Sequence, residues 1–193
     1  QLYNLRSARW LPDNSRRQLH VGLAVAHNAW RYFAATGDVA WLAERGADLI
    51  IEVARLFASL AVHDPVADRF HISGGMGPDE YHDGYPGEPG AGLRDNAYTN
   101  VLAAWVCDRA GDALAALAGH HCDDVHERLE LGADEPGTWS RLARRLFVPF
   151  LEDGVISQFD GYDALAEFDW SGYRQAYGNI ERLDLILEGE GDS

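Results

Sequence analysis

Apolar residues recur at intervals of three and four over most of the chain, which is the period of amphipathic helices. After Asp13-Asn14-Ser15, three residues that cap helix N-termini well, Leu19, Leu23, Ala26, Trp30 and Phe33 fall on one helical face. Gly37 predicts the end of that helix and Asp38 the cap of the next. The next segment runs through Trp41-Leu42, is interrupted near Gly46 and resumes over residues 47–61. Its Leu, Ile and Ala content predicts burial on more than one side. Residues 63–95 break the pattern, because Pro86-Gly87-Glu88-Pro89-Gly90-Ala91-Gly92 cannot be helical. A loop this long inside a compact domain is usually functional or disordered. Helical spacing returns from Asn96 to about Leu117, with Asp95 placed to cap it. A weaker helix is predicted over residues 139–147, and two short ones around 171–177 and 180–187.

Strand signals are confined to residues 69–72 and 155–157. The fold class predicted is therefore all-α, with short connections giving antiparallel helix pairs. Residues 1–193 read as a single domain with no internal boundary, repeat or low-complexity linker.

The composition, 47% hydrophobic and 24% charged, is that of a globular protein. No apolar run approaches the roughly 18 to 20 residues of a membrane span. The first residues lack the pattern of a signal peptide. There is no initiator Met, the only methionine being Met76, so the chain reads as a piece of something longer. Thirty-one acidic residues against sixteen basic ones give a net charge of -15. Such a surface repels phosphodiester backbones and anionic membranes, and its plain consequence is solubility. All sixteen basic residues are Arg, which removes lysine Schiff-base and P-loop chemistry from this segment. Cys107 and Cys122 form no CxxC pair, so neither a thiolate zinc site nor a dithiol is indicated. Two reduced cysteines point to a cytoplasmic location.

The densest ionisable cluster is Gly77-Pro78-Asp79-Glu80-Tyr81-His82-Asp83, with three carboxylates and an imidazole within five residues. Like charges this close oppose ionisation, which keeps a carboxyl protonated near neutral pH, as a general acid requires. On residue type alone the bland reading stands beside it: Asp79 and Asp83 cap turns and Glu80 points into water. Metal ligation by Asp79, Glu80 and His82, or by His120, His121, Cys122 and His126, lacks the spacing of HExxH or any other known zinc motif. GxSxG and GxGxxG are absent. Among the aromatics, Trp30 and Trp105 sit at core spacing, whereas Tyr81 and Tyr85 lie in the irregular loop where a sugar ring can meet them.

Gly77-Pro78-Asp79-Glu80-Tyr81-His82, followed by Asp95-Asn96-Ala97-Tyr98-Thr99-Asn100, resembles the central motif of glycoside hydrolase family 65. That family includes maltose, trehalose and kojibiose phosphorylases and some hydrolases. Gln18-Leu19-His20, Trp30-Arg31-Tyr32, Ala35-Thr36-Gly37-Asp38 and residues 154–162 extend the likeness through most of the chain. The resemblance implies part of an (α/α)6 barrel, with Glu80 as the general acid of an inverting cleavage of an α-glucosidic disaccharide. It implies Asp79, Tyr81, His82, Asn96 and Gln158 as residues that orient the acid or touch the sugar. No cofactor or metal is implied; inorganic phosphate is the co-substrate if the reaction is phosphorolysis.

Two departures stand out: a Gly/Pro-rich stretch over 84–94, and Asp95 where many members carry Asn. The lysine-glutamine motif, the phosphate-binding loop and the tryptophan-containing segment that holds the glucosyl unit are expected in the rest of a parent chain. The partners implied are thus a small sugar and that remainder, with no nucleic acid and no membrane; a homodimer is allowed. Half a barrel would also leave apolar residues such as Leu23, Trp30 and Ile51 partly exposed. The alternatives from other classes are a catalytically defunct carbohydrate-binding or regulatory helical domain, and a helical metal-binding domain.

Overall fold

The computed structural model describes residues 3–4, 8–10, 14–78, 82–88, 90–119 and 121–190. It is mostly helical, with three two-stranded antiparallel pairs among the described residues. The chain falls into two compact units, Arg17–Asp160 and a second formed by Gln1–Arg16 with Gly161–Ser193.

In the larger unit α1 spans His20–Thr36. It follows a 3-10 turn at Ser15–Arg17, and no side chain caps it. Gly37 closes it at φ 65°, its N–H bonded to the Phe33 carbonyl, as the sequence predicts. Asp38 then caps the single turn α2 (Val39–Trp41) by accepting the Trp41 N–H at 2.9 Å. The interruption near Gly46 is a π-helical turn, Leu42–Gly46, that continues directly into α3 (Ala47–Leu60). A side chain at Gly46 would meet the Trp41 ring at 2.5 Å, so the extra residue of the π turn is accommodated by the absence of a Cβ.

Two strand pairs follow, β3 (Val62–Asp64) with β4 (Arg69–His71), and β5 (Ser73–Gly75) with β6 (Leu93–Arg94). The first confirms the strand predicted at 69–72, one residue shorter. The second predicted strand, around 155–157, is only a bridge between Phe150 and Ile156. Helices α4 (Ala97–Leu117), α5 (Cys122–Arg128) and α6 (Glu135–Arg145) complete the unit.

Helix α4 lies against α1, α3 and α6. Its Ala103, Ala110 and Ala113 are fully buried, and small side chains let three neighbours approach one helix. Leu23 from α1, Ile50, Ile51 and Phe57 from α3, and Trp139 and Leu142 from α6 fill the spaces between them. Each such side chain stabilises by about 1.5–3 kcal/mol.

The expectation that Leu23 and Ile51 would be partly exposed is corrected here: both are at 0% exposure. The helices of this unit bury that face against one another. Exposed apolar residues on these helices instead include Val21 and Val25 on α1 and Leu49 and Leu56 on α3. Trp30 is half-buried, with the Arg109 guanidinium 5.3 Å above its ring.

The smaller unit holds the strand pair β1 (Tyr3–Asn4) with β2 (Arg9–Trp10), then α7 (Trp170–Tyr177) and α8 (Leu183–Glu190). Asp169 caps α7 through the Gly172 N–H at 2.9 Å, and Glu190 accepts the hydroxyls of both Tyr173 and Tyr177. No described helix is long and apolar enough to cross a membrane.

Candidate active site

The sequence-singled loop is framed by β5 and β6. Ser73 pairs with Arg94 and Gly75 with Leu93, so residues 76–92 leave and return at one place. That closure depends on glycine. Gly92 has φ +82°, and a Cβ there would lie 2.5 Å from the Gly74 carbonyl carbon. Asp79, Glu80 and Tyr81 lie outside the described residues; the residues on either side of them are described.

His82 is half-buried, its ring 5.3 Å from that of fully buried Phe159. Asn96 is 5% exposed and is the true cap of α4, its Oδ1 accepting the Thr99 N–H at 3.0 Å. The other half of the same amide, Nδ2, is buried and has no hydrogen-bond partner among the described residues. Gln158 is half-buried and its carbonyl accepts the Ala97 N–H at 2.9 Å. His82, Asn96 and Gln158 are thus gathered around one short segment, 157–159, at the N-terminus of α4.

The predicted cap, Asp95, does something else. At φ 51° its carboxylate turns away from α4 and accepts from the Ile72 N–H at 3.1 Å and from Asn100 Nδ2 at 3.0 Å. His71 Nδ1 lies 2.7 Å from its second oxygen. Asp95 is at 0% exposure, and a buried carboxylate is tolerated because both of its oxygens are hydrogen-bonded. Its own N–H donates to the Ile72 carbonyl at 2.8 Å. Asp95 therefore fastens the strands that lead into the loop to the helix that follows it. Sequence reading missed this frame. Its one signal was Asn100, a polar residue on the apolar face that Ala103 and Cys107 continue.

A second fastening lies at the far side of the loop. The Tyr85 hydroxyl accepts the Arg94 N–H at 3.0 Å and donates to the Asp160 carbonyl at 2.7 Å, with its ring edge-on to Phe159. Burial pushes the Tyr85 hydroxyl above the ordinary phenol range. Arg94 Nε donates to Asp160 Oδ2 at 2.6 Å, and that pairing raises the Arg94 guanidinium further. The Gly/Pro-rich stretch is thus anchored at 85 and 94.

Among the described residues no group of three or more His, Cys, Asp or Glu side chains is placed to hold a metal ion. Cys122 Sγ and His126 Nδ1 are 3.3 Å apart, His121 instead faces Asp124 at 3.7 Å, and His120 is outside the described residues.

A model of the "Glycosyl hydrolase family 65 central catalytic domain" matches residues 1–193. An uncharacterised glycosyl hydrolase of Mycobacterium tuberculosis is 53% identical over 190 residues, 98% of this chain and 14% of that protein. Trehalose 6-phosphate phosphorylase of Lactococcus lactis is 39% identical over 186 residues, 95% of this chain and 22% of that enzyme. The chain therefore spans less than a quarter of either relative. Among solved structures, a human-microbiome protein assigned as a kojibiose phosphorylase shares the fold with a TM-score of 0.65 at 16% identity, over 85% of this chain and 24% of that one.

Proposed function

Since the chain belongs to glycosyl hydrolase family 65, as part of its central catalytic domain, we propose that it carries the proton donor of an enzyme that cleaves an α-glucosidic disaccharide with inversion. Within a parent (α/α)6 barrel, Glu80 is the general acid. It protonates the departing glycosidic oxygen while phosphate or water attacks the anomeric carbon from the opposite face. An α-glucoside then yields β-glucose 1-phosphate or β-glucose. Phosphate is itself an anionic nucleophile and needs no base; water needs a second carboxylate about 6.5–9.5 Å from the acid. Asp79, Tyr81, His82, Asn96 and Gln158 orient the acid or touch sugar hydroxyls. No metal or cofactor takes part, and the enzyme works in the cytoplasm.

The observation that carries this reading is the Asp95 fastening, which mounts the loop bearing Glu80 on the N-terminus of α4. A catalytic acid must be held to within a fraction of an ångström, and a three-donor buried carboxylate at the loop's return is suited to that. The buried, unused Nδ2 of Asn96 beside it supplies a donor for a sugar hydroxyl. Phosphorolysis is the favoured branch, because the Lactococcus relative is named for it. That name also divides the substrate into neutral and phosphorylated disaccharides.

The test is product analysis with the full-length parent, given maltose, kojibiose, trehalose and trehalose 6-phosphate with and without inorganic phosphate. Glucose 1-phosphate formed only with phosphate is the expected result. Free glucose at equal rates in both would assign a hydrolase, and sugar binding without any product would favour the defunct binding domain.

A further inference from the structure

We infer that Arg17 and His20, at the entry to α1, form a recognition site for a phosphate dianion at the edge of the candidate active site. The inference rests on the glycoside-cleaving reading above and goes on to the chemistry of the ligand.

The segment carrying both residues runs alongside the first strand of the loop. The Arg17 carbonyl accepts the Met76 N–H at 3.0 Å, and Arg17 Nη1 donates to the Gly74 carbonyl at 3.3 Å. On the return side of the loop, Gly90 has φ +73°, and the position a Cβ would take there is 3.9 Å from Arg17 Nη2. No side chain from residue 90 covers the guanidinium. His20 presents its ring to Tyr98 on the first turn of α4, with centroids 6.3 Å apart.

What distinguishes Arg17 is an empty edge. Arg55 uses its Nε and Nη2 together to grip Glu135, at 2.7 Å each, and Arg94 presents the same edge to Asp160. In Arg17 the equivalent edge has no hydrogen-bonded partner among the described residues, and its Nε is buried. Three residues on, Nδ1 of His20 is also buried without a hydrogen-bond partner among the described residues. Buried polar nitrogens are costly to leave unpaired, so Arg17 Nε and His20 Nδ1, three residues apart in the chain, imply a missing acceptor. The Nε/Nη2 fork matches two oxygens of a phosphate, and His20 supplies a third contact as donor. The acidic background makes a localised cation such as Arg17 necessary for a dianion to dwell there at all.

The dianion has two sources, inorganic phosphate and a phosphoryl group carried on the sugar, and one titration series separates them. Glucose 6-phosphate, inorganic phosphate and glucose are titrated into the full-length parent by calorimetry, as wild type and as Arg17→Gln, Arg17→Lys and His20→Asn. At least one phosphate-bearing probe is expected to bind. Arg17→Gln should weaken it roughly 10- to 100-fold, as loss of a charge-assisted pair requires, and glucose by less than about 2-fold. Arg17→Lys should restore part of the affinity, and His20→Asn should weaken the same probe.

A loss confined to glucose 6-phosphate assigns the site to a phosphorylated sugar; a loss confined to inorganic phosphate assigns it to the co-substrate. Binding of neither phosphate-bearing probe to wild type overturns the inference, as does an equal loss for glucose and phosphate probes in Arg17→Lys and His20→Asn. The latter result would make the pair a clamp on the loop. Because binding is read without turnover, failure of the glycoside-cleaving reading shows separately, as absence of product from every disaccharide.

Discussion

Between α3, α4 and α6 the buried residues are apolar: Ile50, Phe57, Ala103, Val106, Leu117, Trp139 and Leu142 belong to one core, with the Arg55–Glu135 pair beside it. Across β5 and β6 the loop at the candidate site is held by a few directed contacts. These are a glycine pressed on a glycine at 92 and 74, a carboxylate with three donors at 95, and a tyrosine hydroxyl between two backbone groups at 85. The helical region spreads its stabilisation over many interchangeable contacts, so it tolerates approximate sequence. The loop concentrates its stabilisation at single atoms, so one substitution can displace it while the helices stay folded.

Trp139→Ala attacks the helical region and should cost about 3–5 kcal/mol, because a large fully buried side chain leaves a cavity. Denaturant unfolding of the full-length parent, followed by circular dichroism, reads this directly. Asp95→Ala should cost about 3 kcal/mol, since three donors lose a buried acceptor at about 1 kcal/mol or more each. Asp95→Asn should cost markedly less. Its Oδ1 still accepts from Ile72 and Asn100, and His71 can turn its other tautomer toward the amide. Equal losses in the two variants would show that the carboxylate is not what fastens the loop.

Gly92→Ala sharpens the comparison from the other side. Its Cβ has no room and its φ is left-handed, so the loop must shift. Turnover should fall about 100-fold, with a smaller change in unfolding midpoint than Trp139→Ala gives. A midpoint loss as large as that of Trp139→Ala would erase the distinction between the two regions.

The smallest effect concerns Glu135, which closes on Arg55 at 2.7 Å beside the helical core. The Arg55 guanidinium holds this carboxyl below the usual value of 4.5. A depressed carboxyl contributes stability that is fully present above its ordinary value and is lost as pH falls through the folded one. Acid titration of stability should therefore steepen below about pH 4.5, and Glu135→Gln should flatten it, by about 1 kcal/mol or less for a partly exposed pair.

The same contrast explains what could be read from the chain. The main helices were legible because burial repeats every three or four residues at Leu23, Ala26, Ile50, Ala54 and Phe57. Helix α5 was not, since a seven-residue helix with only Val125 buried carries no period. The interruption at Gly46 was legible but its nature was not, because a π turn depends on the Trp41 ring lying over that glycine. At the candidate site the motif residues stood out by type, and Asn96 and Gln158 are found together at the start of α4. The role of Asp95 was misread as a cap. Its partners His71 and Ile72 lie more than twenty positions away in sequence, and no local pattern announces a contact across that distance.

The central claim is that Glu80 is the proton donor, and leaving-group dependence in Glu80→Gln of the full-length parent tests it most directly. An acid is needed for a sugar alkoxide leaving group and far less for 4-nitrophenolate. The account predicts loss of disaccharide cleavage by about 100-fold or more, with 4-nitrophenyl α-glucoside much less affected. Equal losses on both substrates, or near-normal turnover of the disaccharide, would contradict it.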